Sequence, residues 1–262
     1  MKKILRYLNL WWIMSRNSFS IFLSLKLSFS IFLTGKILRF IFFISFLFFI
    51  LQGTKTLAGY TSNQAIFFFL TFNLVDVMAQ FLFREVYRFR PLIVSGSFDL
   101  VLVKPVNALF RVLMGGADVL DLITIPPIIF AVYYVGGLLS PTTSQTILFL
   151  LLIINSLFIA TAFHIAVLAL GIITLEVDHT IMIYRDITNL GRFPIDIYRQ
   201  PLQGILTYLI PVGIMITLPA KALMGLVSPS GVLLSFVIGT VAVLVAIRLW
   251  NFALTKYTSA SS

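Results

Sequence analysis

The chain has 262 residues, 60% of them hydrophobic and only 11% charged, with a mean hydropathy of +1.05. A globular domain carries about 25% charged residues, so the composition excludes an ordinary water-soluble fold and describes a polytopic membrane protein. Basic residues gather on one side of such proteins, so the net charge of +10 does not call for nucleic acid, and the lack of any cysteine excludes disulfides and thiolate metal sites.

The first element is residues 2–30. Lys2, Arg6, Asn9, Arg16 and Ser20 fall near one face at helical spacing, and Trp11, Trp12, Phe19 and Phe22 fill much of the rest. Arg16 and Lys26 interrupt any long apolar run. A basic helix with tryptophans of this kind lies in the interface plane. A cleaved signal peptide fits poorly, because its apolar stretch would be short, contain tryptophan and lack an A-x-A site.

Six apolar segments follow, at 37–58, 62–83, 119–139, 146–175, 205–226 and 232–252. Each approaches or exceeds the roughly 18 apolar residues that a spanning helix needs, and the period-2 alternation of a barrel is absent. The expected fold is all-α, with six transmembrane helices preceded by the amphipathic interfacial helix. In the second span Asn73, Asp76 and Gln80 recur at i, i+3 and i+7 and make one polar face. A carboxylate at that depth is costly. It serves either a cavity or a hydrogen-bonded clamp between helices, and the sequence leaves both open.

Residues 84–118 form a cytoplasmic connection with unusual structure. It opens with Arg84, Arg88 and Arg90, breaks at Gly96, and continues through Asp99, Lys104, Pro105 and Asn107. Such a connection is expected to contact a partner beyond the membrane. Asp118 and Asp121 open the third span and are expected to reach interfacial water. Pro126 and Pro127 within it, and Pro211 and Pro219 in the fifth span, remove helix hydrogen bonds and predict kinks or breaks. His164 in the fourth span shares a face with Ser156, Ala160 and Gly171, which reads as close helix packing. The stretch carrying Asp178, His179, Arg185, Arg192 and Arg199 reads as a solvated cytoplasmic connection. With the amino terminus in the cytoplasm, all of the 19 basic residues except Lys55 and Lys221 fall on that side. Both termini are then cytoplasmic and the outer connections are short turns.

No catalytic or metal-binding constellation is found. There is no G-x-x-x-x-G-K-[ST] phosphate loop and no H-E-x-x-H or G-x-S-x-G pattern.

Three stretches carry a family resemblance. GSFDLVLVKPVNALF at 96–110 is similar to a signature of bacterial type-2 ABC transporter permeases. GRFPIDIYRQPLQGILTYLIPVGIMITLPAKALMG at 191–225 resembles that family's segment leading into and through its fifth span. RLWNFALTKYTSASS at 248–262 resembles its C-terminus. The three occur in family order, and with the six-span layout the resemblance covers essentially the whole chain.

The resemblance implies an exporter subunit in the plasma (inner) membrane that pairs with a second six-span permease subunit, identical or sister. It also implies an ATP-binding subunit as a separate partner, which supplies the ATP and Mg that this chain has no motif to hold. It places Arg84, Arg88, Arg90, Gly96, Asp99, Lys104, Pro105 and Asn107 in a coupling segment against that ATPase. Asn73, Asp76, Gln80, Pro211 and Pro219 would then lie near the translocation path. That path carries little charge in this reading, so an apolar or amphiphilic cargo is expected. The competing class is a secondary transporter driven by an ion gradient, which would need internal repeats that the two halves do not display.

Overall fold

The computed structural model describes residues 2–54 and 56–258. Met1, Lys55 and the terminal residues 259–262 lie outside the described residues. Among those described, helices and turns make up the fold and no strand occurs.

Helix α1 (Lys2–Ser24) is strongly amphipathic and is separated from α2 (Lys26–Thr54) by Leu25 alone. Helix α2 begins well before residue 37, so Lys36 and Arg39 lie inside a continuous helix. It stands nearly free of the rest of the bundle. Helix α3 (Ser62–Phe83) is the most buried. Thr61 and Gln64 form a reciprocal capping box at its start, and Phe67, Phe68 and Phe72 are almost wholly enclosed.

A compact connection follows: a 3-10 turn at Arg84–Arg88, then α4 (Phe89–Val94), α5 (Phe98–Leu102) and α6 (Ala108–Leu113). Helix α7 (Val119–Leu138) runs through Pro126 and Pro127 as one continuous helix, so no break falls there. Helix α8 (Thr143–Thr174) packs most extensively against α12 (Pro229–Lys256). The Asn155 amide donates to the Ser235 carbonyl at 3.0 Å across that contact. Gly239 leaves room for Asn155, which a Cβ there would strike.

Between α8 and α12 lie α9 (Val177–Asn189), 3-10 turns at Leu190–Arg192 and Ile195–Ile197, and a short α10 (Leu202–Gly204). A π-helical turn at Ile205–Leu209, another at Gly213–Thr217 and α11 (Leu218–Leu223) complete the order.

Side-chain contacts sort the bundle into two ends. We call the end that carries α1 basal and the other distal. At the basal end Ser15 Oγ accepts from the Ala117 amide at 3.1 Å, and Phe98 packs edge-on against Trp250 and Tyr257. Both ends of the described chain are therefore basal. At the distal end lie the Leu57–Tyr60 turn between α2 and α3 and the start of α8, where Gln145 sits against Gly225.

These landmarks correct the expected fifth span. Asp178 pairs with Arg90 at the basal end, yet Asp196 reaches Tyr60 and Lys221 at the distal end, at 2.9 and 2.8 Å. The chain thus passes between the ends through α9 and its two 3-10 turns. The segment expected to span at 205–226 does not cross. Its halves, Leu202–Leu209 and Gly213–Leu223, are bent by 76°. Asp196 before the hairpin is bonded to Lys221 near its close, so it enters and leaves at the distal end. The break falls at Pro211. Pro219 sits at the start of α11, directly after the π-helical turn at Gly213–Thr217.

The physical reason is length and polarity. The 13 residues of α9 rise only about 20 Å, short of the roughly 30 Å hydrocarbon core, and carry Asp178, His179, Arg185 and Asp186. Among the described residues, five other helices are long and apolar enough to cross a membrane.

Candidate functional site

A cavity of about 550 Å³ lies between α2, α3, α7 and α9 towards the basal half. Asn73, Asp76 and Gln80 of α3 all face it, so the polar stripe of that helix lines a cavity. Gln80 donates to Asp76 at 2.8 Å, and Asn73 donates back to the Phe69 carbonyl at 2.8 Å. Pro211 and Pro219 are not among the lining residues. They belong to the distal hairpin, where both are buried.

Cationic heads come from three elements. Lys36 and Arg39 enter from α2, Arg84 from the 3-10 turn that continues α3, and Arg185 and Arg192 from α9 and the turn after it. Lys36 is ion-paired with Asp121, Arg84 with Asp118 at 3.1 Å, and Arg39 more loosely with Asp76 at 3.7 Å. Asp118 and Asp121 are buried here rather than exposed to interfacial water. Asp118 also caps α7, accepting from the Leu120 amide at 2.8 Å. Arg192 lies 5.8 and 5.6 Å over the rings of Phe43 and Phe72, within cation–π range.

Two basic residues expected in a solvated connection are therefore inside the bundle. Arg199, beyond Asp196, falls at the distal end. Five cations line this cavity, far more charge than the polar stripe of α3 alone announces. The arginines were misplaced because the polar α9 gives no hydrophobic signal for a passage.

His164 is packed between the rings of Phe83 and Tyr184, 4.9 and 4.7 Å away, and its Nδ1 donates to the Ala160 carbonyl at 2.7 Å. It is a packing residue of α8, not a cavity residue.

The basal connection is held by charge and by α1. Glu85 is buried and accepts from Arg111 at 2.6 Å, with Arg88 3.6 Å away. Arg88 also donates to Ser18 Oγ at 3.1 Å, and Arg90 pairs with Asp178 at 3.3 Å. The three arginines proposed for a partner ATPase are thus engaged within the chain.

Helix α1 lies across the same connection. Arg6 donates to the Pro105 carbonyl at 3.2 Å, Tyr7 accepts from the Asn107 amide at 3.2 Å, and the rings of Tyr7 and Phe110 meet edge-on at 4.7 Å. Nothing in the sequence pairs these residues, which are about a hundred positions apart. Asn107 caps α6 by accepting from the Phe110 amide at 2.9 Å.

Gly96 has φ +70°, a left-handed conformation that L side chains rarely adopt. It turns the chain from α4 into α5. At Asp99 the carboxylate lies beside Tyr257, and burial together with that neighbour pushes the tyrosine hydroxyl up to about 12. At the tip of the connection Val94, Leu100 and Val103 are 62%, 62% and 79% exposed, with Lys104 and Pro105 beside them, also exposed.

Long apolar helices around a charged cavity, with a braced connection at one end, define a multi-pass membrane transport protein. The family described as ABC-2 family transporter protein matches residues 9–261, and the chain belongs to that family. It is accordingly a permease component of an ABC transporter, not itself an ATPase. No curated protein and no solved structure matches the chain.

Proposed function

We propose that the chain is the membrane subunit of an ABC exporter, working in the plasma (inner) membrane with both termini in the cytoplasm. In this reading it pairs with a second six-span subunit, identical or sister, and docks a separate ATPase that binds ATP and Mg. The observation that carries the docking surface is the exposed apolar tip formed by Val94, Leu100 and Val103. Apolar side chains that project beyond the basal end, rimmed by Lys104, suit a cleft on a protein partner.

The bracing supports a route from tip to cavity. Helix α3 runs on through the 3-10 turn into α4 as one apolar stretch, Ser62–Val94. The Arg84–Asp118 pair ties it to the start of α7, and the Arg90–Asp178 pair ties α4 to the start of α9. Closure of the ATPases on the tip would tilt α3, α7 and α9 together, and these three helices wall the cavity beside Asn73, Asp76 and Gln80. In this reading Arg84, Arg88 and Arg90 brace the connection, and the ATPase meets the tip around Gly96, Asp99 and Lys104.

Reconstituted transport tests the reading. Uptake into inverted vesicles that requires ATP and a co-expressed ATPase supports it. Uptake that follows a proton or sodium gradient without ATP supports the secondary transporter.

A further inference from the structure

The cavity is lined by five cations, Lys36, Arg39, Arg84, Arg185 and Arg192, and by two carboxylates, Asp76 and Asp118, while a third, Asp121, pairs with Lys36 from behind the lining. Lys36 and Arg84 are each matched by a close carboxylate. Arg39 is matched only loosely. Among the described residues neither Arg185 nor Arg192 has a carboxylate within ion-pair distance. Each faces an aromatic ring instead, Arg185 at 6.0 Å over Tyr87 and Arg192 over Phe43 and Phe72. A ring face attracts a cation but does not neutralise it. Uncompensated charge within a bundle at membrane depth marks a substrate or ion pathway.

The remaining wall is apolar. Phe22 of α1 and Phe32, Phe40 and Phe43 of α2 line it. Because α2 stands largely free of the bundle, this wall is the outer side of the cavity. One cavity therefore joins a cationic end to an aromatic side.

We propose that the cavity binds an anionic amphiphile. Its acidic headgroup, phosphate or carboxylate, lies among Arg39, Arg185 and Arg192, and its apolar body lies along Phe22, Phe32 and Phe40. Guanidinium forks match both headgroups bidentately. Calling the bound molecule cargo rests on the transport reading above; the binding does not.

The full chain, purified in a neutral maltoside detergent, is titrated with dodecyl phosphate, dodecyltrimethylammonium and inorganic phosphate. Dodecyl phosphate is expected to bind saturably and raise the thermal unfolding midpoint. Arg185→Gln and Arg192→Gln are each expected to weaken it by about tenfold or more, the scale of one charge-assisted hydrogen bond. Arg248→Gln, on exposed α12 surface, is expected to bind as the unaltered chain does. Should the glutamine variants fail to fold, Arg192→Lys keeps the charge, loses the fork and is expected to bind more weakly than the unaltered chain.

Equal binding of the cationic amphiphile, or unchanged binding by the arginine variants, would overturn the proposal. Inorganic phosphate binding as tightly as dodecyl phosphate would reduce the ligand to a free anion and overturn the amphiphile. With the ATPase present, dodecyl phosphate is expected to raise ATP turnover. Binding without that response would identify a resident lipid and overturn the cargo assignment. Failure to find any ATPase would sink the transport reading and leave the binding result standing.

Discussion

Glu85 shows how single residues hold the basal connection. It is buried just past α3, and two arginines, Arg111 and Arg88, converge on it from α6 and from its own turn. Glu85→Gln removes the charge that both arginines answer. The expected loss is on the order of 2 kcal/mol, the value of hydrogen bonds to a charged group, read as a lower thermal midpoint in detergent. The same substitution should loosen α6 without emptying the cavity of its cations.

Asp196 plays a comparable part at the other end, accepting from Tyr60 and Lys221 at once. Burial and that carboxylate raise the Tyr60 hydroxyl above its usual range, so it stays a donor at every physiological pH. Such residues were poorly legible in the sequence. Asn73, Asp76 and Gln80 announced a polar face because their spacing is helical, and that face does line the cavity. Arg84, Arg88 and Arg90 announced charge but not direction, since their partners Asp118, Glu85 and Asp178 are fixed only by folding.

At the scale of elements, long uniformly apolar helices are legible from composition because lipid leaves no other way to satisfy the backbone. Helix α9 is not, because its crossing is short, charged and shielded by neighbours. The hairpin at 202–223 is misleading for the opposite reason, being apolar enough to cross but folded back at Pro211. The two topologies make opposite predictions. The chain has no native cysteine, so Gln203→Cys and Ser95→Cys can each be labelled alone with a membrane-impermeant maleimide. Labelling from opposite sides is expected; labelling of both from one side would restore the fifth span at 205–226.

Helix α1 is legible as amphipathic, but its seat is not. It covers the connection through Arg6, Tyr7, Ser15 and Ser18 and sets Trp11 against Phe81. Trp11→Ala is therefore expected to speed amide exchange in residues 105–117 as well as in α1. Faster exchange in α1 alone would mean that the helix rests on lipid and not on the connection.

For the molecule as a whole, the bracing turns the basal tip and the cavity into two ends of one assembly. The tip is reached by α4, α4 continues α3, and ion pairs bind α7 and α9 to the same piece. A push at the tip would then reach three of the four cavity walls, while α2 stands apart. The central claim is that a separate ATPase pushes there. Affinity purification of the tagged full chain from its native membrane, beside a Leu100→Asp, Val103→Asp double variant, tests it most directly. The account predicts an ATP-binding subunit that co-purifies with the unaltered chain and is lost from the variant, with both chains equally folded. An ATPase retained by the variant, or a stable chain that brings none, would contradict it.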